Sequence, residues 1–125
     1  MKEIIHSEKA PAPIGPYSQA VKAANTLYIS GQIPIDQETG KLVDSSIEDE
    51  TEQVMKNIRN ILEEAGLGFG NVVKCSIFVS DMDNFSRVNA IYGKYFQRNP
   101  PARETIEVGG LPKNVNIEVS CIAVF

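Results

Sequence analysis

The 125-residue sequence has one histidine, His6, and two cysteines, Cys75 and Cys121. A single histidine excludes every multi-histidine metal site, and His6, so near the N-terminus, reads as a structural or exposed residue. Two cysteines, each inside an apolar strand-like run, do not make a disulfide framework. They read as small buried thiols of a reducing compartment. Lysine and arginine nowhere form a run longer than two and the formal charge is −4, so there is no basic face to replace the counterions of a nucleic acid. No apolar run approaches the ~20 residues of a membrane span. The opening MKEIIHSEKAP has neither the apolar core nor the cleavage site of a signal peptide. The expectation is a cytoplasmic protein with no membrane or nucleic-acid partner.

What is present is ordinary globular composition, with 42% hydrophobic and 22% charged residues, which predicts one domain over 1–125. Residues 3–6 suit a short edge strand. Ala10 to Pro16 carries three prolines and a glycine, a rigid loop that belongs at a surface or lines a cleft. Gln19–Lys22 and Thr26–Ser30 suit a hairpin about Ala24-Asn25, and Asp36–Gly40 a turn without metal-loop spacing. Ser46 caps a helix whose Val54, Ile58, Ile61, Leu62 and Ala65 recur at helical spacing, with ordinary charges on its solvated side and Gly66 at its end. The following glycines, Gly66, Gly68 and Gly70, come after a helix instead of joining a strand to one, so they are no nucleotide loop.

Asn71–Ser80 alternates as a strand with Val73, Cys75, Ile77 and Val79 on one face. Asp81–Asp83 begins a second helix with Phe85, Val88, Tyr92, Tyr95 and Phe96 as its buried stripe and Asn89 as a hydrogen-bonding tie. Asn99-Pro100-Pro101 ends it. Two more strands follow, Ala102–Val108 and Val115–Phe125. The last buries its odd positions and leaves Ile122 and Val124 on a face that needs cover from another subunit. The expected fold class is α+β: a two-layer domain, a mixed β-sheet with two helices packed on one face.

The chemistry concentrates in the final segment, PPARETIEVGGLPKNVNIEVSCIAVF. Arg103 offers a planar fork that grips a carboxylate, and Glu118 offers a group that handles a proton, so the pair suits a small-acid site. On composition alone, an arginine after proline at a strand start is more often a solvated surface charge.

Five motifs in order resemble the RidA/YjgF family of reactive-intermediate deaminases. They are Ala10-Pro11-Ala12 with Ile14-Gly15-Pro16-Tyr17-Ser18-Gln19; Ser30-Gly31-Gln32-Ile33-Pro34; Val88-Asn89-x-x-Tyr92; Pro101-Ala102-Arg103; and Leu111-Pro112-Lys113 followed by Ile117-Glu118. The resemblance implies a chorismate-mutase-like fold and a homotrimer with pockets between subunits. It also implies hydrolysis of 2-imino or enamine acids, such as 2-iminobutanoate and 2-iminopropanoate, to 2-keto acids and ammonia, with no metal or organic cofactor. Arg103 then matches the arginine that holds the substrate carboxylate, and Glu118 the glutamate that positions and activates water. Tyr17 and Ser30 match pocket residues and Gly31 a backbone contact.

Two positions depart from the family pattern. Thr105 stands where many members carry cysteine; it donates a hydrogen bond to substrate but is no thiolate nucleophile. Gly109-Gly110 replaces a pair bearing side chains, which removes a charge from the pocket rim. The same residues also suit a non-catalytic module that binds a small carboxylate, or a protein acting through protein or RNA partners. Steady turnover separates the first of these from the enzyme, and ligand-independent partner binding that tolerates Arg103→Ala marks the second.

Overall fold

The computed structural model describes residues 1–125. Six strands form one sheet in the order β1-β2-β3-β8-β6-β7. They are β1 (Lys2–Ile5), β2 (Ala20–Ala23), β3 (Thr26–Gln32), β6 (Val72–Val79), β7 (Ala102–Glu107) and β8 (Ile117–Val124). Only β6 and β7 run parallel, joined through a helix as such a pair requires; the other pairs are antiparallel. A separate two-stranded hairpin, β4 (Ile35–Asp36) with β5 (Lys41–Leu42), occupies what sequence reasoning read as a plain turn. Gly40 closes it in the left-handed region at φ 72°.

The helices α1 (Ile47–Glu64) and α2 (Phe85–Tyr92) pack on one face of the sheet, giving the two-layer α+β architecture expected. Ser46 caps α1 by accepting from the Asp49 N–H at 3.0 Å, with Glu48, Asp49 and Glu50 in the first turn facing the positive helix end. The core joins Val54, Ile58, Ile61 and Leu62 of α1 to Leu27 and Ile29 of β3, Cys75, Ile77 and Val79 of β6, and Ile117, Val119, Cys121 and Ala123 of β8. Asp81 caps the short turn Met82–Asn84 ahead of α2 instead of α2 itself.

Three expectations fail locally. Val73 is 44% exposed and Val72 buried in its place, because the register of β6 against β8 shifts between Val72 and Lys74. Phe85 is exposed, so the buried stripe of α2 runs from Val88 through Tyr92 to Phe96. Asn89 ties nothing: its side-chain oxygen is buried without a partner.

The other sheet face has no covering layer. Its row Ile4–Val21–Tyr28–Ile122–Lys74–Ala102 crosses all six strands, and Ile4, Tyr28 and Ile106 are exposed on it.

Candidate active site

The register decides which site residues meet. Glu118 stands opposite Phe78, on the uncovered face of the sheet. Arg103 stands opposite Cys75, whose side chain lies in the core under the helices. Successive strand residues point to opposite faces, so the sheet separates Arg103 from Glu118. Within one chain the two residues occupy two half-sites.

The Glu118 half is an open cavity of about 310 Å³ lined by Ile14, Tyr17, Ser30, Gly31, Ile33, Pro112 and Glu118. Burial pushes the Glu118 carboxyl above the usual carboxylate range, with no opposite charge to counter it. Gly31 allows that carboxylate its place: a Cβ on residue 31 would lie 2.7 Å from the Glu118 carboxyl carbon, closer than real Cβ atoms approach. The irregularity between Ile29 and Gln32 in the β3–β8 ladder sits at this point. Ser30 does not offer its hydroxyl proton to the cavity. It donates to the Ser18 carbonyl at 2.6 Å and so pins the loop carrying Tyr17 to β3. Tyr17 is 46% exposed, and its hydroxyl accepts only from the Ile14 N–H, at 3.3 Å.

That loop is held from beneath by Gln19, 1% exposed. Its carbonyl accepts from the Ser7 N–H at 2.7 Å, and its amide nitrogen faces the carbonyls of Ser7, Ala10 and Pro11 at 3.1, 3.2 and 2.9 Å. The helix α1 supports the same cavity from below. Asn57 donates to the Ile33 and Ile35 carbonyls at 3.1 and 3.0 Å. Glu50 accepts from the Asn116 N–H and side-chain amide at 3.0 and 2.7 Å, fixing the entry to β8 two residues before Glu118. None of these three is among the site residues expected from the sequence. The signal was there for two: Glu50 and Asn57 are polar residues in phase with Val54, Ile58 and Ile61.

The Arg103 half lies against α2. The guanidinium sits 4.9 Å from the Tyr92 ring centroid and 5.6 Å from that of Phe85, and none of the chain's ion pairs uses it. Three buried side-chain polar atoms of the protein have no hydrogen-bond partner: the oxygens of Asn89, Tyr92 and Thr105. Thr105 shares the Arg103 face, opposite Ile77, and Asn89 precedes Tyr92 by one helical turn, so all three belong to this half. A buried polar group without a partner costs about 1–3 kcal/mol, so such a cluster calls for a ligand or a partner chain.

The sheet with two helices on one face thus carries an unpaired arginine on one side and a raised carboxyl in a small cavity on the other. The Endoribonuclease L-PSP family model matches residues 7–125. The chain belongs to this family, the RidA/YjgF proteins. It is 50% identical to Reactive Intermediate Deaminase A, chloroplastic, of Arabidopsis thaliana over 98% of this chain and 65% of that one. It is 45% identical to the 2-iminobutanoate/2-iminopropanoate deaminase of Mus musculus over 99% and 92%. The Rid-family protein YyfA of Yersinia pestis superposes with a TM-score of 0.96 at 46% identity over all of both chains. E. coli TdcF, solved with bound serine, superposes at 0.94 with 34% identity over 98% of each. No helix of the chain is long and apolar enough to cross a membrane.

Proposed function

We propose that this protein is a hydrolytic deaminase that converts 2-imino acids and their enamine tautomers, 2-iminobutanoate and 2-iminopropanoate among them, to 2-keto acids and ammonia. The full-length similarity to the mouse deaminase supports the reaction, and the serine held by TdcF supports a small amino-acid-like ligand. In this reading the working unit is a cytoplasmic homotrimer whose pockets lie between copies of the chain. The observation that carries it is the separation of Arg103 and Glu118 onto opposite faces of the sheet. A substrate that needs both must draw them from two copies, and the uncovered face with Ile4, Tyr28 and Ile106 supplies the surface to pair.

Arg103 grips the substrate carboxylate bidentately, and the Thr105 and Asn89 oxygens gain the partners they lack in the isolated chain. Water adds to the imine carbon as Glu118 takes its proton, and the resulting acid returns a proton to the departing nitrogen. General acid–base help of this kind gives ~10²–10⁴-fold. A carboxyl raised by burial suits both roles. Ile14, Ile33 and Pro112 leave room for a short aliphatic side chain.

The test is 2-keto acid release from imines generated in situ, with wild type and Arg103→Ala. Acceleration that falls at least ~100-fold in the variant, with its circular dichroism unchanged, is the expected result. No acceleration by the wild type with any short-chain imine would overturn the reading in favour of a non-catalytic carboxylate-binding module.

A further inference from the structure

Cys75 and Cys121 face each other across β6 and β8, and both thiols are free and buried. The ladder fixes what kind of pair they form. The Ser80 amide donates to the Asn116 carbonyl at 3.1 Å, which makes those two, one step beyond Val79↔Ile117, a hydrogen-bonded pair. Hydrogen-bonded and non-hydrogen-bonded pairs alternate along an antiparallel ladder. Cys75 lies an odd number of residues from Ser80, and the register shift at Val72/Lys74 lies outside that interval. Cys75 and Cys121 therefore form a non-hydrogen-bonded pair, whose Cα atoms stand about 4.5 Å apart with the side chains at their closest. A disulfide spans Cα separations of about 4.4–6.8 Å.

We propose that Cys75 and Cys121 are a dithiol–disulfide site, closed by peroxide and reopened by thiol reductants, directly behind the Arg103 half of the pocket. Cys75 is the residue opposite Arg103 in the parallel β6–β7 pair. The Cys121 thiol beside it draws the Cys75 thiol below its usual range, with further help from the Arg103 guanidinium and against its burial; the Cys121 thiol is pushed up. Cys75, the sulfur of the pair that stands opposite the Arg103 cation, is the attacking one. Its thiolate breaks the O–O bond of hydrogen peroxide, giving a sulfenic acid and hydroxide. The Cys121 sulfur then attacks the Cys75 sulfur, and the S–O bond breaks as the S–S bond forms. The sulfenic oxygen leaves as water with the Cys121 proton, while the hydroxide of the first step takes up the proton that Cys75 gave up on ionising. The two sulfurs give up two electrons and the peroxide becomes two waters. Peroxide is little larger than water, and Arg103, the residue opposite the buried Cys75, is partly exposed.

Bond formation turns the Cys75 sulfur toward Cys121 and away from Tyr92, on whose ring Arg103 rests at 4.9 Å. The oxidised protein then holds a carboxylate less well, so KM rises while kcat stays. This consequence rests on the deaminase reading; the disulfide itself does not.

The experiment exposes the intact protein to hydrogen peroxide, alkylates it after denaturation, and reads intact mass and linked peptides. The expected product is about 2 Da lighter, takes no alkyl group, links the Cys75 and Cys121 peptides, and regains two thiols with dithiothreitol. Two thiols surviving in the treated protein, or oxygen adducts on single cysteines with no cross-link, would overturn the site. So would a Cys75–Cys75 link between chains on a non-reducing gel, in wild type or in Cys121→Ala. A disulfide that forms and leaves KM unchanged would overturn the link to Arg103. If neither redox form turns over imines, the deaminase reading fails and the mass result still decides the disulfide.

Discussion

At the scale of single residues, the site trades stability for chemistry at Glu118. Burial raises its carboxyl, so the folded chain favours the neutral form. The stabilising contribution is fully present below the unfolded-state pKa and is lost as pH rises through the folded one. Glu118→Gln should therefore unfold at a higher temperature than wild type at pH 7, and the advantage should vanish in acid; thermal melts at the two pH values measure it. The same raised carboxyl sets activity with the opposite sign, since the base must be ionised. The acid limb of kcat/KM should lie above the ordinary carboxylate range and disappear with the residual rate of Glu118→Gln. Gly31 is the partner in this arrangement. Gly31→Ala sets its Cβ against the Glu118 carboxyl, the far end of a flexible side chain, which yields by turning away. It should lose turnover as Glu118 swings away, read as a fall in kcat with little change in the denaturation midpoint.

At the scale of elements, the pocket is assembled by side chains that never touch a substrate. Gln19 holds the proline loop, Asn57 holds the start of β4, and Glu50 holds the entry to β8. Gln19→Ala strips the partner from the Ser7 N–H and the Ala10 and Pro11 carbonyls, the Ser7 carbonyl keeping the Ala10 N–H, and should cost about 3 kcal/mol. Amide exchange should rise across residues 7–17 before it rises in the sheet, which is the measurement that separates loop release from global unfolding. The elements themselves were readable because their periods are local: 3.6 in α1 behind the Ser46 cap, 2 in β3 and β8. The failures were also local in cause. Val73 alternates correctly on paper, and a shift in pairing with β8, a strand far along the chain, exposes it.

At the scale of the whole molecule, a pocket shared between copies makes a prediction that a pocket within one chain cannot meet. Arg103→Ala and Glu118→Ala should each be inactive alone. Unfolded together in equal amounts and refolded, they should regain about a quarter of wild-type turnover, since one intact Arg103 and one intact Glu118 meet at that frequency when subunits mix at random. No recovery, with mixed oligomers verified by mass, would return both residues to one chain.

The sequence by itself determined the layer architecture, the Ser46 cap of α1, the apolar faces of α1 and β8 and the identities of the reactive groups. These follow from spacing and side-chain chemistry within a few residues of each position. Only the tertiary structure decided that Arg103 pairs with Cys75 and Glu118 with Phe78, and hence that the two fall on opposite faces. It alone set Cys75 against Cys121 and left Asn89, Tyr92 and Thr105 without partners. Each of these is a matter of register between strands distant in sequence, and a slip of one residue would send every side chain of a strand to the other face.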